Sequence, residues 1–345
     1  MATYLIMLLI ITISAAVVFN LNIRSNNKNK VFLMISFIIL ASVSAFRGID
    51  VGTDTKHYVE IFMRYVYGIY DLHSEKGYAL LNLIIARITE NPQVIIIVSS
   101  IIINFGIMVF IFYNSKNSWL SVYLYITLYY YFFSFNYMRQ FIAMAIVINS
   151  WYLLKRKRFK LYFIFLVLGT MIHTTAIIGI LFLVIYINRK NIKIIPWIYG
   201  CTIILLLSMN VFIEYLFKFF PRYIWYSGDY LNKTGGVMIV VLYCSIFLIT
   251  FLLKPQKLNE EYNMLLILAS ICSGLSILGY YYFIFVRPSL YFNIFSIIII
   301  PELLQRFEKK SRLIASYVIL ALGFVYMMYY FSFNWHNILP YKVFF

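Results

Sequence analysis

The stretch Gln93–Tyr113, QVIIIVSSIIINFGIMVFIFY, decides the fold class of this chain. It carries no charged residue, and as a helix it is long enough to cross a hydrocarbon core of about 30 Å. Similar apolar stretches recur along all 345 residues, of which 63% are hydrophobic and 12% charged. Soluble domains average about half apolar and a quarter charged residues. We therefore predict an all-α, polytopic integral membrane protein that forms a single transmembrane domain over residues 1–345.

The hydropathy pattern predicts about ten full transmembrane helices. They are Thr3–Asn20, Val31–Phe46, Gln93–Tyr113, Trp119–Phe135, Phe141–Leu154, Ile194–Val211, Val237–Leu253, Tyr262–Ile284, Ser289–Leu304 and Leu313–Phe331. The densest basic loops are Lys155–Arg158 and Arg306–Arg312. Because cytoplasmic loops of membrane proteins collect Lys and Arg, we place both loops in the cytoplasm, which puts both termini outside.

Two segments do not fit a single crossing. Residues 161–187 are flanked by basic clusters on both sides, so we predict a re-entrant helix pair that breaks near His173. Lys76–Arg87 is too short for a span and is predicted to be an amphipathic helix at the outer membrane surface. It belongs to a first periplasmic loop, residues 47–92. A second periplasmic loop is predicted over residues 212–236.

The formal net charge of +17 follows from the same loop bias. No basic helix with interleaved aromatic residues lies in a polar context, which excludes nucleic-acid binding. Cys201, Cys244 and Cys272 all lie in apolar stretches, and their spacing indicates neither a disulfide framework nor a metal site. We predict neither a metal nor a cofactor.

The segment Arg47–Tyr58 combines an arginine, two carboxylates and two glycines between apolar stretches. One interpretation is structural, since Asp and Gly form tight turns and Thr53, Asp54 and Thr55 can cap a helix. The other is functional: Arg47 binds an anion and Asp54 accepts a proton. Charge at a membrane boundary is costly and marks functional sites. Both interpretations can hold together.

Other candidates lie at predicted outer span boundaries. Arg139 with Gln140 follows a tyrosine-rich run, and Arg287 precedes a proline that begins a helix. Each arginine either holds an anion or extends to lipid head groups. His173 is either a proton acceptor or a hydrogen-bonded packing residue. His57, His73 and His336 are further candidates outside the spans.

Arg222, Tyr226 and Asp229 lie in the second predicted periplasmic loop. Aromatic rings stack on the apolar faces of sugars and carboxylates hold hydroxyl groups, so this loop is a candidate sugar-binding segment. An interfacial amphipathic helix explains it equally well.

Several of these motifs together resemble the EpsG family of Wzy-type polysaccharide polymerases. The resemblance rests on motifs that follow the family's order along nearly the whole chain. They are Phe46-Arg47, Gly52-Thr53-Asp54-Thr55 with Tyr58, Glu75-Lys76-Gly77-Tyr78 with Asn82, Arg139-Gln140, Leu168–His173 with the following Thr-Thr-Ala, Arg287–Tyr291, and Pro340-Tyr341. The Gly-Thr-Asp-Thr block is the most specific of them.

The resemblance implies a GT-C-like glycosyltransferase that joins undecaprenyl-diphosphate-linked oligosaccharides on the outer face of a bacterial inner membrane, as in O-antigen, capsule or exopolysaccharide synthesis. Its implied partners are these lipids, membrane lipids, a chain-length regulator and a flippase. Arg47, Arg139 and Arg287 would bind the diphosphate, and Asp54 or His173 would act as the base. The implied substrate-binding residues are Thr53, Thr55, Tyr58, Glu75, Gln140, Arg222, Tyr226, Asp229 and Tyr291.

Two other functions remain open at the level of sequence. A flippase or other transporter of lipid-linked oligosaccharides would share the apolar helices and the arginines, although it would need no base. An O-antigen ligase would use a similar donor and a lipid A core as acceptor. Few acidic residues lie within the spans and no inverted repeat is visible, which weighs against an ion-coupled transporter.

Overall fold

A computed structural model describes residues 1–22, 24–70, 75–219, 236–255 and 259–344 of the protein. These residues are helical and contain no β-strand, which confirms the all-α prediction. The chain divides into two compact units. Unit 1 comprises Met1–Ile177 and Leu304–Phe345, and unit 2 comprises Ile178–Leu303.

Unit 1 contains ten helices from the first part of the chain and one from the last part, counted over the described ranges. They are α1 Ala2–Asn20, α2 Ser25–Ala45, α3 Thr55–Val66, α4 Lys76–Ala86, α5 Gln93–Asn114, α6 Ser118–Thr127, α7 Tyr130–Asn136, α8 Met138–Val147, α9 Ser150–Lys155, α10 Phe159–Ile172 and α18 Lys309–Phe333. The core of this unit lies where α5 packs between α2 and α8.

Unit 2 contains the intervening helices. They are α11 Leu181–Ile187, α12 Ile195–Leu207, α13 Met209–Phe219, α14 Val237–Leu252, α15 Glu260–Tyr281, α16 Val286–Asn293 and α17 Ser296–Leu304. Helix α15 is its centre, since α12, α14 and α16 all pack on it. Three short 3₁₀ helices, Thr174–Ile180, Ile192–Ile194 and Phe283–Phe285, complete the helical structure of the described residues.

Among the described helices, five are long and apolar enough to cross a membrane, namely α1, α2, α5, α15 and α18. A sixth span results if Phe283–Asn293 and Ser296–Leu304, bent by 48°, are counted as one. The predicted number of about ten is therefore not confirmed. Multi-pass character is supported, while the other apolar helices are too short to be counted as spans on their own.

Breaks within the predicted spans account for part of this difference. The predicted span Trp119–Phe135 divides into α6 and α7 at Tyr129, whose backbone is left-handed with φ 73°. A bulky residue in that conformation is strained, so packing around the fully buried Tyr129 ring must hold it there. The predicted span Phe141–Leu154 likewise divides into α8, which ends at Val147, and α9, which begins at Ser150.

Polar side chains join the central helices of unit 1. Asn104 on α5 donates a 3.2 Å hydrogen bond to the Ser44 hydroxyl on α2. Asn149, between α8 and α9, donates a 2.9 Å bond to the Gly106 carbonyl on α5. In lipid, where apolar surface gives little drive for helix association, such bonds and close backbone contacts hold helices together.

The helices give unit 1 two chemically different ends. At one end, which we call the site end, Gln93 at the start of α5 donates to the Ala45 carbonyl at the end of α2, over 2.6 Å. At the opposite end, which we call the basic end, α2 begins near the end of α1. There the Lys28 ammonium donates to the Phe19 carbonyl at 2.9 Å.

The predicted break near His173 is present. Helix α10 ends at Ile172, and His173 has an extended backbone, with φ −151° and ψ 121°. The re-entrant course of residues 161–187 stays a prediction. Helix α4, Lys76–Ala86, matches the predicted short helix Lys76–Arg87, whose interfacial position also stays a prediction.

Candidate functional site

The Gly-Thr-Asp-Thr block forms a tight turn that leads into α3. Gly52 has a φ of 100°, and a Cβ atom there would lie 2.8 Å from the Thr55 hydroxyl oxygen. Only glycine fits such a position without strain. Thr55 is fully buried and donates a 2.7 Å bond to the Val51 carbonyl, which closes the turn. Asp54 stands at the N-cap of α3 without a side-chain capping bond, and its carboxylate accepts from Thr53 at 3.0 Å.

Residues 334–344, which we call the strap, follow α18 and cover this turn. The Gly52 amide donates to the Asn337 carbonyl over 2.8 Å, and the Thr53 amide donates to the His336 carbonyl over 3.2 Å. Further along, the Gly48 amide donates to the Lys342 carbonyl over 2.8 Å. The strap therefore fixes the backbone of the turn that carries Asp54.

Arg47 is enclosed beneath the turn, with 1% of its surface exposed. Its guanidinium lies 4.5 Å from the ring centre of Phe135 and donates to the carbonyl of Ser44 and, at 3.5 Å, to the Ser100 hydroxyl. Burial lowers the pKa of Arg47 to about 10, so it remains a cation at neutral pH. In this arrangement a diphosphate cannot reach Arg47, and the residue serves packing of the site end.

Glu75, just before α4, is the centre of the candidate site. One carboxylate oxygen, Oε1, lies 2.7 Å from His173 Nδ1 and accepts a 2.8 Å bond from the Thr174 amide. The other, Oε2, lies 3.5 Å from Arg139 Nη1. A single carboxylate thus joins a histidine and an arginine that sequence analysis identified separately. We call Glu75, Arg139 and His173 the Glu75 cluster.

Local backbone geometry explains how Glu75 reaches His173. A Cβ atom on Gly77 would lie 2.9 Å from the carbonyl carbon of Met171, so the absence of a side chain lets the start of α4 approach the end of α10. Because α10 ends at Ile172, the Thr174 amide begins a new 3₁₀ helix and is free to donate to the carboxylate.

Two tyrosines form a wall beside Arg139. Its guanidinium carbon lies 5.8 Å from the ring centre of Tyr58 and 5.6 Å from that of Tyr78, within the range of cation–π attraction. The Tyr58 hydroxyl donates to the Asn136 carbonyl at 3.1 Å, which links α3 to the junction of α7 and α8. Both rings are buried, and 29% of the Arg139 side chain remains exposed.

The electrostatics of the cluster keep Glu75 ionised. Burial by itself would raise the pKa of Glu75, but the hydrogen bond from His173, the Thr174 amide and the Arg139 charge together lower it. A carboxylate at Nδ1 fixes the imidazole with its proton on that nitrogen, leaving Nε2 as the acceptor. His173 Nε2 is buried and has no hydrogen-bond partner among the described residues.

His336 lies at the site end, close enough to Asp54 to be influenced by its charge. Burial lowers the pKa of His336 to about 4, and the negative charge of Asp54 opposes this shift. His336 also lies against aromatic rings, with centroids 5.0 Å from Phe133 and 6.1 Å from Tyr137. The strap thus carries a histidine that is neutral at neutral pH beside the Gly-Thr-Asp-Thr turn.

The remaining predicted site residues differ in their exposure and in the unit to which they belong. Thr53 is exposed at the turn, whereas Gln140, next to Arg139, is 2% exposed. Arg287 and Tyr291 lie on α16 in unit 2, with Arg287 partly exposed and Tyr291 fully buried. Three predicted sugar-binding residues lie outside the described residues: Arg222, Tyr226 and Asp229.

Sequence reasoning did not identify Tyr78, Thr174 or Asn136 as individual site residues. The signal for Tyr78 was its place in the Glu75-Lys76-Gly77-Tyr78 motif. Thr174 contributes its backbone amide, which no sequence pattern reports. Within the described ranges, no three His, Cys, Asp or Glu side chains gather as a potential metal site.

The described residues thus form an apolar helical framework with a carboxylate, a histidine and an arginine gathered at one end of unit 1. The chain belongs to the EpsG family, whose sequence model matches residues 30–343. Members of this family are Wzy-like polymerases. No curated protein and no solved structure shows significant similarity to the chain.

Proposed function

We propose that the protein is a membrane glycosyltransferase that polymerises oligosaccharide units carried on undecaprenyl diphosphate. The observation that carries the proposal is the Glu75 carboxylate, which orients His173 over 2.7 Å and faces Arg139 over 3.5 Å. The cluster supplies an oriented base and a fixed cation, the two groups that glycosyl transfer from a diphosphate requires. Family membership supports the same reaction class.

In the proposed step, a hydroxyl group at the non-reducing end of the acceptor unit attacks the anomeric carbon of the donor chain. His173 Nε2, which is buried and which the acceptor must therefore reach when it binds, takes the hydroxyl proton as the new carbon–oxygen bond forms. The bond between the anomeric carbon and the diphosphate oxygen breaks, and its electron pair leaves with undecaprenyl diphosphate. The products are a chain longer by one unit, the lipid diphosphate and the proton on His173.

Arg139 stabilises the charge that develops on the diphosphate. A guanidinium binds two oxygens at once and does not lose its proton, which suits a phosphate better than an ammonium group. The tyrosine wall and Glu75 restrict its side chain in advance, so less ordering is needed in the transition state. Arg287, in unit 2, is proposed on sequence grounds as a second diphosphate ligand.

Arg47 has no direct part in this proposal because it is enclosed. Asp54 is partly exposed and its carboxylate accepts from Thr53, so it lies outside the hydrogen bonds and ion pairs that join the Glu75 cluster. We assign it, with Thr53 and Tyr58, to the acceptor sugar, and we assign the proton transfer to His173. Gln140, Tyr291 and the loop containing Arg222, Tyr226 and Asp229 remain proposed substrate contacts.

The proposed location is a bacterial inner membrane, with the site end of unit 1 facing outside. The distribution of charge supports this orientation, since the loops at the opposite end collect Lys and Arg as cytoplasmic loops do. Lipid-linked oligosaccharides are available on the outer face after a flippase has moved them, and a chain-length regulator would limit the product.

Chain extension by the purified protein in lipid nanodiscs, supplied with lipid-linked units, tests the proposal. We expect the wild type to extend chains without a nucleotide sugar, and His173→Ala to extend them about 10²–10⁴-fold more slowly, the usual contribution of a general base. Binding of undecaprenyl diphosphate should be retained. His57→Ala is the matched control, because His57 is exposed on α3.

The same experiment separates the other functions. A flippase would move lipid-linked units across vesicles without extending them. A ligase would transfer the chain only to a lipid A core acceptor. Extension by His173→Ala at the wild-type rate would remove His173 from the role of base.

A further inference from the structure

The basic end of unit 1 contains a cleft that the proposed reaction does not use. It encloses about 550 Å³, within the range of about 300–1,000 Å³ found for small-molecule sites. The last turns of α1, the start of α2 and the start of α6 form its walls. The Glu75 cluster lies at the opposite end of the same unit, so the cleft is a separate feature.

The lining of the cleft is mixed. Ala16, Phe19 and Trp119 supply apolar surface, and Asn29 and Lys116 are among the polar residues of the lining. A ligand that combines an alkyl chain with a polar head matches this mixture.

The charge around the cleft is entirely positive. Lys116 lines it and is exposed, and the Lys28 ammonium is held beside it by the 2.9 Å bond to the Phe19 carbonyl at the end of α1. The sequence has no Asp or Glu in residues 1–49 or 91–213, the segments that build the three walls. An anionic head group would therefore meet cations and no competing carboxylate.

We infer that this cleft is a binding site for an anionic phospholipid. Its phosphodiester lies against Lys116 and its acyl chain lies along Ala16, Phe19 and Trp119. Basic pockets between transmembrane helices at the cytoplasmic surface bind anionic head groups, and the basic end carries the residues that favour that surface. The inference does not depend on the proposed polymerase activity.

Titration of the detergent-solubilised full-length protein with fluorescent phosphatidylglycerol, and with phosphatidylcholine of the same chain length, tests the site. We expect tighter binding of phosphatidylglycerol. Lys116→Gln should weaken it about fivefold, the effect of one cation near an anionic lipid. Ala16→Leu, which adds bulk to the lining of the cleft but keeps every charge, should weaken it as well. Lys310→Gln is the matched control, since Lys310 is exposed and does not line the cleft.

Three results would overturn the inference. Equal binding of both lipids would show that the head-group charge is not recognised. Equal losses from Lys116→Gln and Lys310→Gln would show that only the overall charge matters. Displacement of the lipid by millimolar glycerol 3-phosphate, with Ala16→Leu behaving as the wild type, would indicate a site for a soluble phosphate. Thermal unfolding of each variant reports whether it is folded.

Discussion

The two ends of unit 1 differ in kind, although the same helices build both. The basic end holds Arg24, Lys28, Lys30, Lys116 and the Lys155–Arg158 run, and the segments that contain them, residues 1–49 and 91–213, have no Asp or Glu. The site end mixes arginines, carboxylates, histidines and glycines. The tendency of cytoplasmic loops to collect Lys and Arg explains the charges of the basic end, but it does not explain the mixed charges of the site end. Contacts between opposite charges, rather than charge itself, therefore distinguish the end of unit 1 that holds the candidate site.

The largest expected effect concerns which side of the membrane each end of unit 1 faces, because labelling of an introduced cysteine is close to all-or-none. In a background where Cys201, Cys244 and Cys272 are replaced by alanine, we introduce Asp50→Cys at the site end or Lys116→Cys at the basic end. A membrane-impermeant maleimide should label only the first in intact cells, and both after permeabilisation. Labelling of both from the same side would show that the two ends do not face opposite compartments.

The next largest effect concerns arginines at the two ends. Arg139→Ala should slow chain extension about 10²–10³-fold, the cost of removing one group that stabilises transition-state charge. Arg139→Lys should recover part of the rate, since lysine keeps the charge but not the planar fork. Arg156→Ala, at the basic end, should extend chains normally. Equal rates for Arg139→Ala and the wild type would remove Arg139 from the mechanism.

A pair of glycines tests the turn that carries Asp54. Gly52→Ala should destabilise the protein by about 1–3 kcal/mol, because alanine is strained at a φ of 100° and its Cβ would meet Thr55. Gly48→Ala should cost less, since the nearest atom to a Cβ there is 3.5 Å away. Thermal unfolding in detergent measures both. A larger loss from Gly48→Ala would contradict this account of the turn.

The smallest effect is a pH dependence at the strap. The pKa of His336 is lowered from 6.5 to about 4 in the folded protein, so the unfolded chain binds the proton more readily between these values. Stability should therefore fall as the pH decreases from about 6.5 towards 4. His336→Gln should flatten the unfolding temperature across this window, whereas His57→Gln should leave the slope unchanged. An unaltered slope in His336→Gln would assign the dependence to other groups.

The fold class and many of the residues of the candidate site were predictable from sequence. Apolar stretches located the helices, and a polar interruption at Gly169–His173 located the end of α10. Hydropathy averages over a window, however, and does not detect a break such as the one at Tyr129, which depends on tertiary packing around a strained backbone. That is why predicted spans and observed helices differ in α6–α9.

The contacts within the site were not predictable. Glu75 and Thr174 are 99 residues apart, and nothing in a single sequence reports that they meet. Arg47 and Arg139 look alike in sequence, since each lies at a helix boundary near aromatic residues. In the folded protein they differ in exposure: Phe135 and Ser100 enclose Arg47, whereas the Arg139 side chain stays partly exposed.

The strap has a consequence for biosynthesis. The Tyr341 hydroxyl bonds the Val43 carbonyl across 298 residues, and the Gly52 amide finds its partner only on Asn337. Until residues 334–344 have been synthesised, the Gly52 amide lacks its acceptor on Asn337 and the Val43 carbonyl lacks its donor on Tyr341. The nascent chain is therefore expected to lack an ordered turn at Asp54 through most of its insertion, and under the proposed function such incomplete copies would not extend chains.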